Sequence, residues 1–170
     1  QNAVPFERAD PLFGIDIGFF VFRLPWLETL AGRALMILAV TAVFTAVGYL
    51  GTSALARIAR VQLAKNSMNA HLLVLVGLFI AAYGARLYLS RYSIVVREGD
   101  QFVGPGYAQS RAVPFYALMG WLVMLLGAAT VANAKLWRQW RVPAFGAPAL
   151  FVLGVVLLSV YPAFVQQYTV

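Results

Sequence analysis

The stretch Leu72–Ser90, LLVLVGLFIAAYGARLYLS, decides the fold, because it is an apolar run of membrane-spanning length that carries a single charge, Arg86. About 20 helical residues cross the hydrocarbon core of a bilayer. A guanidinium at that depth costs ~2.5–3.5 kcal/mol on insertion scales, so it faces protein or water rather than lipid. Arg86 therefore asks for a counter-charge, and the rest of the chain reads as the helices packed around it.

The composition supports this. Of the 170 residues, 62% are hydrophobic and 11% charged, against about 25% charged in an ordinary soluble domain. Working outward from Leu72, four stretches are apolar enough to span, expected near Ala34–Ala56, His71–Ser90, Pro114–Ala134 and Ala147–Tyr161. The first is a charge-free run bracketed by Arg33 and Arg57. The last is placed between Pro148 and Pro162, since proline breaks a helix interior. The expected fold is an all-α membrane protein, a bundle of four transmembrane helices with an interfacial amino-terminal segment. That segment covers residues 1–33 and the helical domain residues 34–170. The chain starts at Gln1 without an initiator methionine or signal peptide and stops directly after an apolar run, so it reads as a piece of a longer protein.

Residues 1–33 mix four acids and three arginines with Phe6, Phe13, Phe19, Phe20, Phe22 and Trp26, a mixture suited to the headgroup level. Pro25 is expected to kink this segment or start the next helix. In the loop after Leu72–Ser90, Tyr92–Val96 is expected to form a short strand, followed by turns at EGDQ and GPG.

Charge gives the topology. The loops Arg57–Ala70 and Lys135–Val142 each carry three basic residues and no acid, and the positive-inside rule places both in the cytoplasm. The amino-terminal segment (net −1), the loop Arg91–Val113 (net +1) and the carboxyl terminus then lie outside. The expected location is a cell membrane, multi-pass, with both ends of the chain extracytoplasmic. The formal charge of +7 sits in short loops rather than on one face, so lipid headgroups, not nucleic acid, are the expected partners.

Catalytic chemistry is not written here. The single histidine, His71, has no second histidine to share a metal, and the absence of cysteine removes thiolate sites and disulfides. No paired carboxylates, P-loop or dinucleotide loop occur, so no catalytic, metal or cofactor residue is assigned and no enzyme activity is expected. One charge cluster has physical content: Asp16, Arg86, Arg91 and Arg111 all fall near the outer interface. Asp16 is the best counter-charge for Arg86 in this chain, either as a structural ion pair or as part of a site for an anionic substrate or lipid head. Small residues at four-residue spacing, Gly48, Thr52 and Ala56 and then Gly77, Ala81 and Ala85, are expected to face other helices. Gly120 and Gly127 lie two turns apart on the third helix.

The segments DPLFGIDIGFFVFRLPWL, YLSRYSIVV, GDQFVGPGYAQSRAVP and YPAFVQQYTV, in this order and spacing, resemble the uncharacterised protein family 0182, large bacterial integral membrane proteins. The resemblance covers essentially the whole chain. It implies an inner part of the family's membrane region, with further helices before it and a large extracytoplasmic region after it, and no established activity. At Gly104–Gln109 this chain departs from the family's glycine, alanine, glycine, tyrosine, threonine, aspartate, so a role for that aspartate does not carry over. The function expected is that of a structural or accessory subunit packed with other membrane protein subunits. The alternative is part of a transporter or pore for an anionic substrate, for which the polar candidates within the spans are Thr41, Thr45, Arg86, Thr130 and Asn133.

Overall fold

The computed structural model describes residues 6–59, 65–94, 107–137, 139–161 and 163–164. Four helices follow one another: α1 (Leu24–Ala59), α2 (Lys65–Ser93), α3 (Tyr107–Leu136) and α4 (Arg141–Val155). A π-helical turn, Phe19–Arg23, leads into α1, and another, Val156–Val160, continues α4. All four are long and apolar enough to cross a membrane, over Phe19–Ile58, Ser67–Ser93, Ala112–Leu136 and Arg141–Val160. Among the described residues there is no strand, only an isolated antiparallel bridge between Ala9 and Asp16.

With the π-helical turns counted, every helix is longer than the apolar run expected for it. In an apolar solvent the backbone must satisfy its own hydrogen bonds, so a helix runs on through polar residues until water or a turn takes over. That corrects several sequence-based expectations. Tyr92 and Ser93, expected in a strand, complete α2, while Val95 and Val96 lie outside the described residues. α2 starts at Lys65 instead of His71, so Asn66, Ser67 and Asn69 lie inside it, and Pro114 lies inside α3. α4 starts at Arg141 instead of Ala147, with Pro143 in its first turn, where a missing N–H costs nothing, and Pro148 inside it.

Pro25 is the second residue of α1, at the helix start as expected, but a π-helical turn instead of a loop precedes it. In a regular α-helix its ring would meet the carbonyl of Val21. Here the preceding turn is widened, and the Leu24 amide bonds the Phe19 carbonyl five residues back. The aromatic stretch from Phe19 to Arg33 is thus helical and continuous with the apolar run.

The tightest interface is the antiparallel one between α2 and α3. A Cβ on Gly77 would stand 2.9 Å from the Gly127 carbonyl oxygen, and one on Gly84 2.6 Å from the Met124 nitrogen. From the other side, Gly127 would meet the Ala81 nitrogen at 2.5 Å and Gly120 the Tyr88 Cα at 2.8 Å. Backbone touches backbone at all four glycines, a separation that no larger residue permits. The face is Gly77, Ala81, Gly84 and Tyr88, so the expected ridge holds for Gly77 and Ala81, but its next member is Gly84 instead of Ala85. Leu73, Met119, Thr130 and Asn133 are the side chains most completely enclosed.

The outer helices are different. Of the most apolar stretch of each helix, 22% of α2 and 28% of α3 is buried, against 6% for α1 and for α4. A Cβ on Gly48 or Gly51 would meet nothing within 4 Å. Gly48 and Thr52 are exposed and Ala56 is half-buried, so this ridge lies open at Gly48 and Thr52 among the described residues.

Candidate functional site

The expected charge cluster is built from α2 outward. Asp16 precedes the first helical turn, and its Oδ1 accepts the amides of Gly18 at 2.7 Å and Phe6 at 3.2 Å. Asp10, not singled out from sequence, has the matching role one turn earlier. Its Oδ2 accepts the amides of Leu12 and Phe13, both at 2.9 Å. Gly14 follows at φ +64°, a conformation glycine enters without the steric cost a Cβ would bring. The two aspartates therefore knit DPLFGID into a tight loop.

Aromatic rings fasten that loop to the end of α2. Phe13, Phe19 and Phe20 surround Tyr92, with ring centroids 5.0, 5.3 and 6.4 Å away. Arg91 completes the cluster: its guanidinium carbon lies 4.0 Å from the Tyr88 ring centroid and 4.4 Å from that of Tyr92. One Arg91 Nη donates to the Tyr92 hydroxyl, while its buried Nε has no partner. Cation–π attraction, stronger where water is excluded, holds the guanidinium there.

Arg86 lies elsewhere. Its Nη1 is 3.6 Å from where a Cβ on Gly32 would stand, about four helical turns beyond Asp16 on α1. The structure does not bring Asp16 and Arg86 together. Instead Arg86 shares a crevice of about 330 Å³ with Glu28 of α1, Ser90, Ser93 and Ile94 at the end of α2, and Tyr116 of α3. The Ser93 hydroxyl donates to Glu28 Oε1 and that of Ser90 to the Arg86 carbonyl oxygen. Arg111 falls in the first turns of α3, and its side chain lies outside the described residues. So do Gly104–Gly106 and the side chains of Tyr107–Gln109, the stretch where the chain departs from the family pattern.

Glu28 is the residue the sequence reading missed. Its signal was available: in an antiparallel pair joined by a short connection, an acid near the start of the first helix meets the last turns of the second. Tyr49 and His71 confirm that register, with Tyr49 Oη 2.7 Å from His71 Nδ1. Of the other polar residues within the spans, Thr130 and Asn133 are buried and bonded locally. Thr130 Oγ1 donates to the Leu126 carbonyl within its own helix, and Asn133 Nδ2 to the Gln139 carbonyl.

Comparison with known proteins gives a single family. The sequence model described as "Uncharacterised protein family (UPF0182)" matches residues 1–170. A UPF0182 protein of Cupriavidus necator is 34% identical over 174 residues, covering 99% of this chain and 19% of that protein. One of Streptomyces coelicolor is 30% identical over 177 residues, covering 99% of this chain and 17% of that protein. The chain thus spans less than a fifth of the length of these relatives. No solved structure matches it.

Proposed function

The chain belongs to the uncharacterised protein family UPF0182, and from that premise we propose that it is a packing module of a larger bacterial inner-membrane protein or assembly, with a structural or accessory role. The observation that carries this reading is the openness of α1. It presents Gly48 and Gly51 with nothing within 4 Å, beside exposed Phe44, Val47 and Leu55. Against lipid, bare glycine gains nothing. Against another helix it permits close backbone approach and the dispersion contacts that drive association in a bilayer. The short share of the relatives' length that this chain covers supports a partner surface of that kind, supplied by another part of the protein or by another subunit. Both basic connections face the cytoplasm in this reading, and the aromatic loop lies at the outer surface.

Photocrosslinking tests the proposal. A photoreactive residue in place of Phe44, one turn before Gly48, should yield protein adducts when the intact protein is irradiated in its membrane. Adducts with lipid alone would contradict the packing role.

A further inference from the structure

The crevice between α1, α2 and α3 holds two opposite charges that the fold leaves apart. Among the described residues, no group accepts a hydrogen bond from the Arg86 guanidinium or forms an ion pair with it. On the facing helix, Glu28 receives one hydroxyl, from Ser93, on Oε1. Arg86 is exposed to the crevice and Glu28 half-buried in it.

Depth sharpens the point. The span of α2 runs Ser67–Ser93, so Arg86 lies six residues past its middle, roughly 9 Å along the axis. The hydrocarbon half-thickness is about 15 Å. An unpaired guanidinium at that level needs an anion or water, and the carboxylate beside it needs a cation or donor. The volume of about 330 Å³ falls at the lower end of ligand pockets, which run about 300–1,000 Å³.

We propose that this crevice binds a zwitterion made of a phosphate and a primary ammonium, the chemistry of an ethanolamine phospholipid headgroup. Phosphate oxygens take the guanidinium fork of Arg86 on the wall shared with Tyr116, and the ammonium donates to Glu28. A purely anionic head would leave Glu28 unmatched and repelling. A choline head carries no N–H for the carboxylate. Exposed Met36, one turn along α1 from Gly32 and on the same side of the helix, supplies an apolar surface for an acyl chain. The inference shares with the proposed function only the placement of α1 to α3 in a bilayer.

The test is native mass spectrometry of the delipidated intact protein with equimolar ethanolamine, choline and glycerol phospholipids. The wild type should retain one ethanolamine lipid at least fivefold over the other two, and Arg86→Gln and Glu28→Gln should each bring retention to the choline level. Leu30→Met, on the exposed face of α1 opposite Gly32 and Glu28, should change nothing. Soluble phosphoethanolamine separates the sources: displacement of the bound lipid assigns a free zwitterion, and its failure to displace assigns the membrane lipid. Equal retention of the three lipids by the wild type would overturn the proposal, as would an undiminished preference in Arg86→Gln. The wild-type selectivity is read whether or not the α1 face is covered by protein, so the two readings fail separately.

Discussion

Asp16 shows how a carboxylate with the expected position can have a different partner. Its Oδ1 is taken by the amides of Gly18 and Phe6, and Asp10 holds those of Leu12 and Phe13. Asp10→Ala and Asp16→Ala should each cost about 1–2 kcal/mol, the size of a lost cap, read as a lower melting temperature and faster proteolysis within residues 6–18. In a double-mutant cycle Asp16→Ala and Arg86→Ala should be additive, since they share no contact. Coupling well above ~0.5 kcal/mol would restore the ion pair expected from sequence. Arg91→Lys should also destabilise the loop's attachment, because an ammonium lacks the planar, delocalised cation that lies 4.0 and 4.4 Å from the Tyr88 and Tyr92 ring centroids. An unchanged melting temperature would show that the stack contributes nothing.

The helices were legible as apolar runs, and the α2 ridge was legible in part. Gly77 and Ala81 were identified from four-residue spacing, but a helix of 3.6 residues per turn alternates steps of three and four along one face. The third contact is therefore Gly84, which fixed spacing passes over for Ala85. The Gly48 ridge obeys the same spacing and lies open at Gly48 and Thr52 among the described residues, because spacing alone does not say whether another backbone approaches. Helix ends fall beyond the expected ones where the polar flanks, before His71 and after Ser90, lose to backbone hydrogen bonding. The pairing of Glu28 with the Arg86 crevice was missed because residues 1–33 were read as an interfacial segment rather than as the start of α1. Gly127→Leu should force α2 and α3 apart, with a loss of at least the ~1–3 kcal/mol typical of overpacking. Gly48→Leu should leave the thermal stability of the four helices unchanged. Equal melting temperatures for Gly127→Leu and the wild type would refute the backbone contact at Ala81.

For the whole molecule, the antiparallel order of four spanning helices ties the packing to the charge pattern. α1 and α2 join through a connection flanked by Arg57 and Lys65, and α3 and α4 through one flanked by Lys135 and Arg141. Alternating helices put both connections on one side, opposite the Asp10–Asp16 loop that Tyr92 anchors. The most direct measurement is labelling of single cysteines in intact cells with a membrane-impermeant maleimide. Leu12→Cys, on the exposed part of the loop, should react from outside, and Ser67→Cys, at the start of α2, only after permeabilisation. Labelling of Ser67→Cys from outside, or equal labelling of both sites before permeabilisation, would contradict the arrangement.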